Sequence, residues 1–209
     1  MLIPRRRFLA LSLSTLAAPA LIRPALAACK PVDLAAGIAF SRKDGSKGVA
    51  KAEGDVVRID YVTNRGAWTD IRRAKNGVFE VSRTVEESEE PMVGASAPTY
   101  SWSYSPKIIT PADGATWSGR VKETVEVTIS DENATVERRR TQWQAIYRCF
   151  EPREVTLSGC TYQALTVEAV FSGENGGYSQ RWAYFPELGL GLETRRDGVS
   201  NGLTALGPA

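Results

Sequence analysis

Residues Tyr147–Phe171 read YRCFEPREVTLSGCTYQALTVEAVF, and after a glycine-rich turn Tyr178–Arg196 read YSQRWAYFPELGLGLETRR. Val155 and Leu157 lead into Ser158-Gly159, a pair suited to a tight reversal, and Leu165, Val167, Ala169 and Phe171 follow at every second position. Tyr178, Gln180, Trp182 and Tyr184 then alternate with Ser179, Arg181 and Ala183. Period two is the signature of half-buried strands, and short turn signals between such runs make antiparallel hairpins. Phe185-Pro186-Glu187-Leu188-Gly189 reads as one more turn, with Leu190 and Leu192 entering a last strand that ends at Arg196.

The same grammar extends towards the amino terminus. Ile38 and Phe40 alternate with polar neighbours up to Asp44-Gly45, and Val57, Ile59 and Tyr61 alternate with Arg58 and Asp60. Asn64-Arg65-Gly66 turns the chain into a strand around Trp68 and Ile71. Asn76-Gly77 is the strongest short hairpin signal, because both positions of the favoured turn need positive φ. Phe79, Val81, Arg83 and Val85 continue beyond it. Tyr100, Trp102 and Tyr104 alternate with Ser101, Ser103 and Ser105, giving one aromatic and one hydroxylated face. Thr110 to Gly119 reads as a turn-rich connection that includes Trp117. Two long strands follow, one marked by Val121, Val125, Val127 and Ile129, the other running from Ala134 to about Phe150. The expectation is an all-β protein: one large, bent antiparallel sheet or half-barrel of about ten to twelve strands. Helical periodicity beyond the leader is confined to Val32–Ala36.

Residues 1–27 read as an export signal, leaving 28–209 as one β domain with a break in the pattern at 86–99. Pro4-Arg5-Arg6-Arg7-Phe8-Leu9-Ala10 resembles the twin-arginine translocation motif, and the apolar run from Phe8 to Ile22 is too short to span a bilayer stably. Ala25-Leu26-Ala27 suits ordinary signal peptidase, which predicts a periplasmic protein. Leu26-Ala27-Ala28-Cys29 equally resembles a lipobox, which would make Cys29 a lipidated membrane anchor. Four of the 26 basic residues lie in this leader, which has no acid, so 22 remain against 24 acids, a balance of −2. That argues against general attraction to nucleic acid.

The chain contains no histidine. Ser-His and Cys-His nucleophile pairs and imidazole metal ligands are therefore excluded, while a Ser-Lys pair, a carboxylate pair or an all-oxygen metal site is not. The acidic run Glu86, Glu87, Glu89 and Glu90 lacks the spacing and glycine of a calcium loop, and reads as a solvated connection that divides the sheet. Gly173-x-x-Gly176-Gly177 precedes no helix, so it is a hairpin turn and not a phosphate loop. Cys149 and Cys160 are separated by ten intervening residues in an exported chain, and the expectation is a structural disulfide contributing roughly 3 kcal/mol. No cofactor, metal or catalytic residue is indicated.

Two groups of residues are candidates for binding. The aromatic stripes Tyr100-Trp102-Tyr104, Trp143-Tyr147 and Trp182-Tyr184 are either core or the lining of a groove for an apolar or amphipathic ligand. Arg138-Arg139-Arg140 are either a surface patch or an interface for a phosphate, a carboxylate or an envelope partner. Lastly, Val155-Thr156-Leu157-Ser158-Gly159, Tyr162, Val167 and Trp182–Gly189 resemble the end of proteins of the outer-membrane lipoprotein carrier superfamily. The resemblance covers about fifty residues. It implies a folded-over half-barrel whose concave apolar sheet receives acyl chains or envelope partners, usually under short helices.

Overall fold

The computed structural model describes Cys29 and residues 31–62, 68–87, 96–129, 135–174 and 176–209. The twin-arginine stretch, both cleavage sites and the second half of the acidic run, Glu89 and Glu90, lie outside the described residues. The fold is all-β and consists of a single 13-stranded antiparallel sheet, curled into a half-barrel. Its strands are β1 (Ile38–Arg42), β2 (Lys47–Glu53), β3 (Val56–Val62), β4 (Trp68–Lys75), β5 (Phe79–Glu87), β6 (Thr99–Ser105), β7 (Thr116–Ile129), β8 (Thr135–Leu157), β9 (Cys160–Gly173), β10 (Gly176–Phe185), β11 (Leu190–Arg196), β12 (Val199–Ser200) and β13 (Leu203–Pro208). Among the described residues the only helical element is a 3₁₀ turn at Pro186–Leu188. Residues 34–36, where the sequence pattern was helical, form a turn.

Strands β1 to β12 lie side by side in chain order, and β13 returns to pair with β1. The meander follows from the turns. Asn76 and Gly77 have φ of 55° and 67°, and Ser158 and Gly159 have φ of 51° and 78°, the left-handed pairs that match the twist of two-residue hairpins. The connection at 86–99 does not divide the sheet, because β5 and β6 pair directly through Ser82↔Ser101, Arg83↔Tyr100 and Thr84↔Thr99. The strand count exceeds the expectation because β12 has only two residues and β13 contains Gly207 and Pro208. Trp117, expected in a turn, is the second residue of β7 and is buried.

Curling brings the two halves of the sheet face to face around two apolar clusters. One joins Ile38, Phe40, Ile59 and Leu206 to Phe185, Leu190 and Leu192. The other gathers Phe79, Trp117, Tyr147, Phe171, Trp182 and Tyr184. The walls also meet through backbone. Gly191 donates its N–H to the Asn76 carbonyl at 2.8 Å, and a Cβ on Gly77 would stand 2.4 Å from the Gly191 carbonyl oxygen. Only glycine permits that approach.

The disulfide joins Cys29 to Cys160, with Cα atoms 5.1 Å apart, and Cys149 is a buried free thiol. This corrects the expected Cys149–Cys160 bond. The β8–β9 ladder explains why: Cys160 sits opposite Leu157, beside the turn, whereas Cys149 sits opposite Val167. The two cysteines therefore lie on neighbouring strands but about eight residues apart along them, roughly 25 Å at strand rise and far beyond disulfide reach. Burial raises the Cys149 thiol pKa further, which keeps it inert.

Candidate functional site: the concave face

Alternation assigns the faces. The inward positions of β6 are Tyr100, Trp102 and Tyr104, which face Val125, Glu123 and Val121 of β7; Val121 in turn faces Trp143 of β8. Ser101, Ser103 and Ser105 are exposed on the convex side. The seven aromatic candidates therefore share one face, but the structure divides them by depth. Tyr147, Trp182 and Tyr184 are at most 3% exposed and belong to the closed core, where Tyr147 stacks on Trp182 with centroids 5.9 Å apart. Tyr100, Trp102, Tyr104 and Trp143 are only half-buried.

These four have ordered surroundings. Tyr100 and Trp102 are parallel, with interplanar angle 8° and centroids 5.8 Å apart. The Tyr104 hydroxyl donates to the Glu80 carbonyl at 2.9 Å. The Trp143 indole N–H donates to Glu123 at 2.9 Å, and its ring meets Tyr178 edge-on. Trp102 and Tyr104 border a cleft of about 430 Å³ with Val81, Ile108 and Ile109. Trp143 borders another of about 650 Å³ that is lined from both faces, by Arg139 and Gly173 on the concave side and by Arg140, Gln142, Gln144 and Ser172 on the convex side. Aromatic rings with their polar tips tied back leave flat apolar faces for a ligand. A groove of about 860 Å³ runs elsewhere, over Ala39, Val49, Val62 and Pro208.

A charged belt lies on the same concave face, and reading the sequence missed it. Arg72 of β4 donates to Asp70 at 2.8 Å, to Glu80 at 3.1 Å and to Glu193 of β11 at 2.9 Å. Arg83 holds the other Asp70 oxygen at 2.8 Å. Arg196 and Gln180 donate to Glu193 at 2.7 and 3.0 Å. Burial pushes the Glu193 carboxyl up, but the Arg72 and Arg196 guanidiniums outweigh it and hold the pKa down to about 2. Asp70 is likewise lowered: burial opposes, and Arg72 and Arg83 prevail. The available signal was a charge at an inward position of a period-two strand, as at Arg72 beside the apolar Ala74. Its partner Glu193 lies 121 residues away, a separation no local pattern spans.

The arginine cluster does not converge. Arg138 and Arg140 face Glu126 and Thr124 on the convex side, while Arg139 faces Val125 on the concave side. Arg138 pairs with Glu126 at 2.7 Å, and all three arginines are exposed. Cys29 is committed to its disulfide, and a lipid thioether would use the same sulfur. No group of acids and cysteines suited to a metal occurs among the described residues, and no described helix is long and apolar enough to cross a membrane. No protein-family model, curated protein or solved structure matches this chain. Fold and site together define an all-antiparallel curled sheet whose concave face couples half-buried aromatics to a belt of ion pairs. The disulfide is a feature of oxidising, exported compartments.

Proposed function

We propose that this is an exported, non-catalytic envelope protein that binds an apolar or amphipathic ligand on its concave sheet. The observation that carries the reading is the half-burial of Trp102, Tyr104 and Trp143 beside open clefts, with half-buried Tyr100 stacked on Trp102, while their neighbours Tyr147, Trp182 and Tyr184 are fully covered. A core-only role would cover all seven alike. The acids also support a binding role over a carboxylate-based hydrolase. A hydrolase needs one carboxyl held protonated near neutrality, whereas every described acid with a shifted pKa, namely Asp44, Asp55, Asp70 and Glu193, is shifted down. Export by the twin-arginine route and residence in the periplasm belong to the same proposal. A lipid-anchored form would instead carry its acyl chains on Cys29, with Cys160 reduced.

Native mass spectrometry of the protein isolated from its periplasmic and membrane fractions tests this. A co-purified amphiphile on the wild type, lost in Trp102→Ala/Trp143→Ala, is the expected result. A ligand-free protein from both fractions removes the reading. The convex face favours a second reading, a docking or assembly factor. There Arg120, Lys122, Arg138, Arg140 and Arg148 are all exposed, with Glu126 opposite Arg138 and Glu168 opposite Arg148 as acids among them. Capture of an acidic envelope protein that weakens with salt, and is lost in Arg138→Ala/Arg140→Ala, would support it.

A further inference from the structure

The charged belt is balanced except at one residue. Arg72, Arg83 and Arg196 share the carboxylates of Asp70, Glu80 and Glu193, three cations against three anions. Arg42, the last residue of β1, enters the same interior and is 7% exposed. Its guanidinium lies 4.3 Å above the Tyr61 ring, which Arg72 also contacts at 4.7 Å. Arg42 makes no direct ion pair with a described residue; its charge helps hold the Asp44 and Glu193 carboxyls down from a distance, but its Nε and Nη2 are buried with no hydrogen-bond acceptor. Asp44, the nearest acid in sequence, is exposed and accepts hydrogen bonds from the Ser46 backbone N–H and hydroxyl.

A buried guanidinium with two donors left unmet is costly for a fold to retain. It presents a planar fork suited to a carboxylate or a phosphate. The belt that Arg42 adjoins through Tyr61 and Arg72 is partly open to solvent, where the Arg83 and Arg196 side chains are 28% and 35% exposed. The belt also adjoins the aromatic stripe, since Arg83 stands over Tyr100 at 5.6 Å. Resting on the ligand-binding reading above, we infer that Arg42 is the anion site of the concave face, receiving the carboxylate or phosphate head of an amphiphile whose apolar tail lies along Tyr100, Trp102 and Trp143.

Calorimetric titration of the delipidated, disulfide-bonded protein with dodecanoate, dodecyl phosphate and monododecanoylglycerol tests this. The wild type should bind at least one anion about tenfold or more tighter than the neutral glyceride, and the tighter of the two identifies the head group. Arg42→Met should reduce that preference below about threefold, leave the glyceride affinity unchanged, and raise the melting temperature, because it removes two buried donors that have no acceptor. Equal wild-type affinities for charged and neutral probes, or a preference that survives Arg42→Met, would overturn the anion site while leaving the apolar groove standing. A lowered melting temperature in Arg42→Met would also overturn it, marking the guanidinium as a structural tie. Failure of all three probes to bind folded wild type would overturn the groove reading itself. The wild-type comparison holds whether or not the variant folds.

Discussion

At the scale of single residues, Glu193 and the cysteines make the sharpest predictions. Glu193 has its pKa held down to about 2, compared with an ordinary glutamate value of 4.5 in a free chain. A lowered folded-state pKa contributes stability that is complete above the unfolded value and is lost as pH falls through the folded one. Denaturant titrations should therefore show stability falling between about pH 4.5 and pH 2, by on the order of 3 kcal/mol from this group. Asp70 acts with the same sign. Glu193→Gln leaves Arg72 and Arg196 sharing fewer anions in a buried site, and should cost about 3 kcal/mol or more at neutral pH by urea unfolding. Peptide mapping without reductant should recover Cys29 linked to Cys160, with Cys149 alkylated only after unfolding. Breaking that bond releases a sequence separation of 131 residues, which the chain-entropy model values at up to about 5 kcal/mol.

At the scale of elements, the turns were the most legible part of the molecule. Asn76-Gly77 and Ser158-Gly159 could be placed from sequence because a two-residue hairpin demands positive φ, and few residue types accept it. A second demand on Gly77 was invisible until β11 crossed it. Gly77→Ala must both hold φ near +67° and place a Cβ 2.4 Å from the Gly191 carbonyl. Thermal unfolding should register a loss of about 3 kcal/mol or more, against about 1 kcal/mol for Gly54→Ala, where φ is positive but the space is open. Strand β13 was missed for the opposite reason. Its six residues include Gly207 and Pro208, and its partner β1 lies at the other end of the chain. Leu206, 1% exposed, is apolar because β1 and the β8–β9 turn receive it, not because of its neighbours in sequence.

At the scale of the whole molecule, curvature decides what each inward side chain does. Tyr147→Ala removes a ring that touches Phe79, Trp117, Phe171 and Trp182, and should cost about 3–5 kcal/mol in chemical unfolding. Trp143→Ala, at a half-buried position beside a cleft, should cost only about 1–2 kcal/mol and chiefly weaken ligand binding. Equal destabilisation by the two substitutions would place Trp143 in the core as well. The arginine cluster shows the same dependence on context: three consecutive side chains in a strand alternate faces, so adjacency in sequence made no common site.

The sequence by itself determined the all-β class, most strand positions, the hairpin turns and the face to which each aromatic points. Those depend on interactions within a few residues: the period of two, and the φ a turn requires. Only the tertiary structure decided that Cys160 pairs with Cys29, that Tyr147, Trp182 and Tyr184 are core while Tyr100, Trp102, Tyr104 and Trp143 stay half-open, and that Arg72 and Glu193 meet across the curl with Arg42 left over. The physical reason is that alternation specifies inside against outside, but depth and partner depend on which opposite wall arrives. That depends on how far the sheet bends, a property summed over all thirteen strands.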